Sequence, residues 1–318
     1  MAAEDYDPSL QPKLDWWHVA QSSVFVLVAA LISFCMGTRL ELSLIISGIR
    51  CVVQLTMMGY VLDDVLSSNN AGIVVLMTLT LVLLGAYETT FNRAKKTFKG
   101  FFVNMLVILL VSNVFIAFLG SAFALKEQPF WSPPKFIPIV GMLLGNSMSS
   151  IAMATEQCLD HLSLNGPILE ARLSFGATRF EAARPLAVEA IRVSMLPVIT
   201  QLSVMGLINI PGTMVGLILA GTPMTDAVVY QQCIMFMIAA SSALGVAMAV
   251  IACLMVLVDK HHSLRREKIL DNPPLIRFKT IVDLSQAVSS SIGPTACFAK
   301  CRRANRRQEP VYEEVELR

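Results

Sequence analysis

Charged residues are scarce in this 318-residue chain. Asp, Glu, Lys and Arg together supply 15% of the sequence, whereas hydrophobic residues supply 55%. Soluble globular domains carry about 25% charged residues, so a surface built from this composition is too apolar to face water. The formal net charge of +2 gives no reason to expect a nucleic-acid partner. The scarcity of charge therefore indicates a membrane protein.

Several motifs of enzymes and metal sites are also missing. The sequence has no G-x-x-x-x-G-K-[ST] phosphate loop, no H-E-x-x-H and no G-x-S-x-G, the patterns of nucleotide binding, zinc proteolysis and acyl transfer. Its four histidines form no zinc-like cluster, and its seven cysteines form no C-x-x-C pair. We therefore expect no enzyme activity and no cofactor bound by this chain. Any ATP hydrolysis would be carried out by a separate protein, and a metal site is not assigned.

What the chain does contain is a series of long apolar runs. A membrane-spanning helix needs about 20 mostly apolar residues. Seven runs meet this requirement, at approximately residues 16–37, 47–66, 71–88, 101–125, 136–158, 186–210 and 227–258. Residues 40–46 are expected to lie along the membrane interface, ahead of the second span. The predicted fold class is an all-α, polytopic membrane protein.

One further apolar stretch, residues 211–223, is too short to cross a membrane. It begins with Pro211-Gly212 and ends with Gly221-Thr222-Pro223, and proline and glycine both disfavour a continuous helix. Irregular backbone at membrane depth is tolerated where protein or a water-filled cavity surrounds it. The stretch is therefore predicted to be a re-entrant or broken helix.

Lys and Arg are concentrated in alternate loops. They lie after the third span, after the fifth span and after the seventh span: Arg93, Lys95, Lys96, Lys99, Arg172, Arg179, Arg184, Lys260, Arg265, Arg266 and Lys268. Positive residues favour the cytoplasmic side, so seven spans place the N-terminus outside. Residues 1–262 are then one transmembrane domain, and residues 263–318 are a polar cytoplasmic tail, largely disordered because of its composition.

The loop between the fifth and sixth spans, about residues 161–185, has a distinctive pattern. It is amphipathic, and Gly176 would interrupt a helix. Thr178 followed by Glu181 fits a capping box, so a second short helix is expected to begin there. A helix–glycine–helix element suits docking into a groove of a partner protein. An ordinary amphipathic loop at the membrane interface would carry the same pattern.

This loop resembles the coupling loop of ABC-type permeases, with Glu170-Ala171-Arg172, Gly176-Ala177-Thr178 and Glu181-Ala182 in the matching places. Further blocks extend the likeness in order along the chain, at residues 48–55, 59–62, 137–148, 173–178, 206–214, 219–221 and 230–231. Over residues 16–260 the chain resembles the FetB-type family of iron-export permeases, which includes the plant aluminium-tolerance permeases. Thr213, where a second methionine is expected, and the long tail depart from that pattern.

The resemblance implies a homodimeric permease in a lipid bilayer, docked on a separate ABC ATPase that uses ATP, and exporting metal ions such as iron. The residues implied to contact or couple to the ATPase are Glu170, Arg172, Gly176, Ala177, Thr178, Arg179, Glu181 and Ala182. The candidate pathway or packing residues are Pro138, Gly141, Met142, Gly145, Asn146, Met148, Glu156, Pro211, Gly212 and Met214. The plasma membrane is the expected location, and an endomembrane fits the charge bias equally well.

Other interpretations stay open at this point. The chain could be a secondary transporter or channel driven by an ion gradient, an ABC permease for a sugar nucleotide, or a scaffold that binds partners through its tail. The substrate, the direction of transport and the identity of the ATPase are not determined by the sequence. Transport lost on ATP depletion would separate an ABC permease from a gradient-driven carrier.

Two pairs of small residues have the spacing of helix contacts in membranes. Gly141 and Gly145 lie one helical turn apart, as do Gly212 and Gly216, and such pairs let helix backbones approach closely. Tight packing within one chain is the favoured interpretation of either pair, and a seam between two copies is the alternative. Asn146, beside Gly145, is a polar group at depth that needs a partner.

Overall fold

The computed structural model describes residues 15–38, 40–67, 70–94, 96–98, 100–126, 129, 131–257 and 270–271. Ten α-helices occur in these ranges: α1 Trp16–Met36, α2 Glu41–Ser67, α3 Ala71–Tyr87, α4 Phe101–Leu109, α5 Phe115–Leu119, α6 Pro133–Leu164, α7 Gly166–Ser174, α8 Arg179–Val204, α9 Gly212–Leu219 and α10 Met224–Leu257. Two short strands, β1 (Lys96–Thr97) and β2 (Leu270–Asp271), form one antiparallel pair. The chain divides into two units, and the second spans residues 63–276.

Three turns of wider π-helix extend or join these helices. They comprise Glu88–Arg93 after α3, Leu110–Val114 between α4 and α5, and Gly120–Ala124 after α5. A π turn closes its backbone hydrogen bonds five residues apart instead of four. Because no loop interrupts residues 101–124, α4 and α5 form a single membrane span that contains two wide turns.

Seven helical segments in the described part of the chain are long and apolar enough to cross a membrane: Trp16–Met36, Glu41–Leu62, Ala71–Asn92, Phe101–Ala124, Pro133–Leu164, Phe180–Val204 and Met224–Leu257. Their number and order confirm the predicted spans. The chain is an all-α, multi-pass integral membrane protein.

Two predicted boundaries are wrong. Residues 40–46 do not form a separate interfacial element, because α2 runs without a break from Glu41. Arg50 therefore lies about 14 Å along that helix, at 1.5 Å per residue, and its side chain is half-buried. The sixth span does not begin at residue 186, since α8 continues from Arg179 through Pro185 and Pro197. Each proline removes one backbone donor, but the rest of the helix holds.

The core of the second unit lies where α6 and α10 pack along each other, with α3, α4 and α8 around them. Leu143, Ile151 and Leu159 of α6 are fully buried, as are Ile234 and Cys253 of α10. Such a core is buried against other helices, whereas the remaining apolar side chains face outward, as expected in lipid.

A buried polar cluster lies at the first wide turn of the fourth span. Ser112, Asn113 and Ser147 are fully buried. The Ser147 hydroxyl donates to Asn113 Oδ1 over 2.8 Å, and Asn113 Nδ2 donates to the Leu109 carbonyl over 2.9 Å. Away from water such groups require internal partners, and these contacts provide them between α6 and the fourth span.

The basic loop between α3 and α4 is attached to the end of α6. Lys96 Nζ lies 2.6 Å from Asp160 Oδ1 and donates to Ser163 Oγ over 3.2 Å. β1, which contains Lys96, pairs with Leu270–Asp271 from the region predicted to be the tail. Three segments predicted to share the cytoplasmic side therefore meet at one end of the second unit. The rest of the predicted tail lies outside the described residues.

Candidate functional site

The predicted coupling loop forms a short helix followed by a tight turn. α7 begins directly after α6 and buries Leu169 and Leu173, which lie one turn apart on one face. The first turn of α8 buries Ala182 and Ala183, and α7 packs against α8. Glu170 and Ala171 are exposed, and so is Arg172 at the edge next to α8. The local apolar spacing thus fixes which face of α7 is available to a partner.

Gly176 lets the chain reverse between the two helices. Its φ angle is +90°, in a region that side chains with a β-carbon rarely occupy. The Ala177 amide donates to the Arg172 carbonyl over 3.2 Å, and the Gly176 amide donates to the Leu173 carbonyl over 3.1 Å. This pair of bonds is the Schellman motif that ends many helices, so Gly176 stops α7 and aims the chain into α8.

The predicted capping box is confirmed at the start of α8. The Thr178 amide and hydroxyl both donate to Glu181 Oε2, over 2.9 and 2.7 Å, and the Glu181 amide donates to Thr178 Oγ1 over 3.4 Å. These bonds satisfy backbone donors that have no partner within the helix. The helix that they start is the long α8 and not a short separate helix.

Replacing Thr178 with alanine should loosen the first turn of α8. The lost cap is expected to speed hydrogen exchange of the Glu181 amide about fivefold, measured by exchange mass spectrometry in detergent. Thr178→Ser keeps the hydroxyl and should exchange like the wild type. Equal exchange in the Ala and Ser variants would contradict a capping role for the hydroxyl.

The turn between α7 and α8 presents apolar side chains to the outside. Phe175 is 90% exposed and Ile168 is 56% exposed. Ile168 also lines a hollow of about 140 Å³ formed with Asn165, Leu169, Arg172, Ala182, Pro185 and Leu186. Arg172 Nη1 donates to the Ala182 carbonyl over 3.2 Å and closes one side of it. The exposed aromatic at the end of α7 and the hollow between α7 and α8 offer a partner both an anchor and a recess.

Phe175 was not among the predicted coupling residues, although an aromatic next to a turn glycine is a visible signal. Of the predicted residues, Glu170, Arg172, Gly176, Thr178 and Glu181 are exposed. Ala182 is buried and Ala177 half-buried, so these two hold the turn and offer a partner little surface. Arg179 begins α8, and its side chain lies outside the described part of the structure.

The predicted pathway residues of α6 follow its outward face. Pro138, Gly141 and Gly145 are exposed, and Met142, Asn146, Met148 and Glu156 are half-buried. Asn146 Nδ2 donates to the Met142 carbonyl over 2.8 Å on the same helix. Met142 and Met148 also pack against the buried core, and the role of all these residues in transport stays a prediction.

The favoured interpretation of the paired glycines is wrong. A β-carbon built at Gly141, Gly145, Gly212 or Gly216 would meet nothing within 4 Å, so neither pair is packed against the described part of the chain. Close helix approach occurs instead at single glycines, at Gly85 against Leu144 and most tightly at two others. Gly120 lies against the Met237 side chain, and a β-carbon at Gly245 would come within 2.5 Å of Ile151 Cδ1.

The broken helix predicted at residues 211–223 is the eight-residue α9. Pro211 and Met214 are half-buried and Gly212 is exposed. The Thr213 hydroxyl donates to Gln231 Oε1 over 2.5 Å and so connects α9 to α10. The position that departs from the expected methionine therefore has a structural contact of its own. Among the described residues, no three His, Cys, Asp or Glu side chains converge as a metal site would require.

Seven membrane-spanning helices, a short broken helix and an exposed turn between α7 and α8 together define a multi-pass integral membrane protein. The chain belongs to the family described as Uncharacterised protein family (UPF0014), whose model matches residues 16–257. The match covers all seven spans. It also includes the whole of the α7–α8 segment.

Named relatives occur in bacteria and plants. The chain is 33% identical over 235 residues to UPF0014 membrane protein slr1647 of Synechocystis, covering 73% of this chain and 90% of the relative. It is 32% identical to the protein ALUMINUM SENSITIVE 3 of Arabidopsis thaliana, covering 69% and 78%. It is 29% identical to the "Probable iron export permease protein FetB" of Escherichia coli, covering 74% and 88%. No solved structure matches the chain.

Proposed function

We propose that this chain is the membrane-spanning permease of an ABC-type transporter that exports metal ions, with ATP hydrolysed by a separate ATPase. The observation that carries the proposal is the exposed turn between α7 and α8. It presents Phe175 and a row of polar residues at the end of the second unit where the basic loop also lies. A surface of this composition suits a soluble partner.

The segment is well placed to transmit movement. Its first helix continues from α6, and its second helix is α8 itself. Because both neighbours are membrane spans, a push on the turn reaches the transport domain without crossing a flexible linker. We infer that closure of the paired ATPase moves α6 and α8 and so exposes the pathway alternately to the two sides.

A metal substrate is suggested by the names of two relatives, one for iron export and one for aluminium sensitivity. The outward face of α6 supplies donors that suit metal ions in passage. Asn146 and Glu156 offer oxygen, and Met142 and Met148 offer sulfur, which favour hard and soft cations respectively. Weak, separated donors also suit an ion that must be released.

The proposed transporter contains two copies of the chain. A pathway between copies would place unpacked α6 faces, with Gly141 and Gly145, opposite each other or beside the pathway. In a bilayer, small residues on an open helix face permit such close approach. The N-terminus is then outside and the α7–α8 turn is cytoplasmic, as the charge bias favours.

Affinity capture in mild detergent followed by mass spectrometry tests the proposal. Wild-type chain should bring down an ATPase with a phosphate-binding loop, and the double variant Gly176→Asp/Glu181→Lys should lose it. The first change forces a β-carbon into the left-handed turn, and the second reverses the charge in the capping box.

A matched control is Asp226→Lys, an exposed charge reversal at the start of α10. It should retain the ATPase. If the wild type captures no ATPase in several detergents and still transports metal after ATP depletion, the chain is a gradient-driven carrier and the ABC proposal is rejected.

A further inference from the structure

The sixth span carries two opposite charges on its outward face. Glu189 and Arg192 are both exposed, and they lie three residues apart on the same side of α8. They are about 15 and 20 Å along the helix from Arg179, at 1.5 Å per residue. Both positions fall inside the segment long and apolar enough to span the membrane. Charges at such depth are costly unless they find partners.

Neither charge finds a partner within the described part of the chain. No ion pair or hydrogen bond links the Glu189 carboxylate or the Arg192 guanidinium to a described residue, including each other. Arginine can extend its long stem toward the membrane surface, but the glutamate side chain is shorter. The two charges therefore call for a complementary surface at the same depth.

Apolar side chains flank the charges along the same face. Val188, Leu196 and Ile199 are each about half exposed, at 50%, 52% and 53%, and they follow the helical spacing of one stripe. An acid and a base inside an apolar border have the composition of a specific interface more than of a lipid-facing surface.

We propose that this face of α8 is an interface between two copies of the chain, in which Glu189 of each copy pairs with Arg192 of the other. The inference rests on the homodimer of the proposed function and specifies its seam. A two-fold interface is self-complementary, so residue i meets j and j meets i. The two charges differ in depth by about 4.5 Å, which an arginine side chain spans.

A second copy of the chain carries the charges that this surface requires. It presents an acid and a base at matching depths, because both copies cross the membrane in the same orientation.

Charge reversal in two differently tagged copies tests the pairing. Glu189→Arg alone and Arg192→Glu alone each place like charges opposite each other, so self-capture should fall about tenfold or more. Expressed together, the two variants restore both pairs across the seam, and mixed capture should return close to the wild-type level. If Glu189 paired with Arg192 of its own helix, the mixed dimer of the two variants would have no advantage over a dimer of either variant alone. Equal capture in the mixed and the single-variant experiments would therefore overturn the proposal.

The same assay separates this surface from the proposed function. If two wild-type copies with different tags do not capture each other, the homodimer itself is wrong. If they do, and the reversals change nothing, only the α8 seam is wrong. Asp226→Arg on α10 is the matched control and should associate like the wild type.

Milder variants keep the test decisive if the reversed chains do not accumulate. Glu189→Gln and Arg192→Gln each leave one charge unpaired and should weaken self-capture, whereas the double variant should recover part of it. Wild-type association in all three variants would overturn the proposal. A single peak free of aggregate for each variant in size-exclusion chromatography, at the monomer or the dimer position, shows that the chains are folded.

Discussion

Replacing Phe175 with alanine is expected to weaken binding of the captured ATPase about 30-fold while leaving the permease equally stable. The side chain is 90% exposed, so its removal opens no cavity within the chain. Aromatic anchors at the centre of interfaces are worth about 2 kcal/mol or more, and each 1.4 kcal/mol is about tenfold in affinity. The affinity would be measured between purified ATPase and permease in nanodiscs.

Two control variants show whether a loss of ATPase affinity in Phe175→Ala comes from the aromatic side chain at this turn. Phe175→Trp keeps an aromatic anchor and should retain most of the affinity. Leu207→Ala removes an equally exposed apolar side chain, at 89%, from the loop that follows the other end of α8, and should have no effect. Unchanged affinity in Phe175→Ala would remove this turn from the ATPase interface.

The largest loss of stability is expected from Gly245→Val. A β-carbon there would lie 2.5 Å from Ile151 Cδ1 and 3.2 Å from Ser112 Oγ, and valine adds two methyl groups. Overfilling a packed core costs about 1–3 kcal/mol, so the variant should unfold at a lower temperature than the wild type. Thermal unfolding in detergent, followed by size-exclusion chromatography, measures the difference.

Gly59→Val is the matched control, because Gly59 lies in a membrane span and its β-carbon would meet nothing within 4 Å. It should keep the wild-type unfolding temperature. Shortening the opposing side chain in Gly245→Val/Ile151→Ala should recover part of the loss, since the two positions share one space. If the two glycine variants unfold alike, close packing at Gly245 is not what stabilises the contact between α6 and α10.

Features that depend on neighbouring residues could be predicted from the sequence. The seven spans follow from local hydropathy, and the capping box follows from Thr178 and Glu181, which lie three residues apart. The turn at Gly176 has the same local origin, because the glycine itself permits the backbone angle. The family was also apparent, since its blocks occur in order along the chain.

Features that depend on packing could not be predicted in the same way. Whether a glycine lies at a close contact depends on which face its helix buries, so the regular pairs were favoured and the single glycines at 120 and 245 were missed. The prediction of a separate interfacial element at residues 40–46 was wrong for a related reason. No local signal distinguished it from the first turns of α2.

The candidate site combines local features that could be predicted with packing features that could not. The α7–α8 segment was located correctly, but the exposure of Phe175 and the burial of Ala182 are set by how two helices pack. Residue type alone did not indicate either property: the exposed aromatic is absent from the predicted coupling residues, and the buried alanine is among them. The functional roles of all these residues stay predictions until the capture experiments are done.

The wide turns at Leu110–Val114 and Gly120–Ala124 matter for comparing this chain with its relatives. Each such turn holds one more residue than an ordinary turn of helix. A relative that lacks one of them can therefore keep the same buried face with a chain that is one residue shorter. Single-residue gaps in an alignment belong at these two places inside the fourth span. If the gaps are placed in the loops instead, the residues of the span between the loop and the wide turn are aligned with the wrong lipid-facing positions.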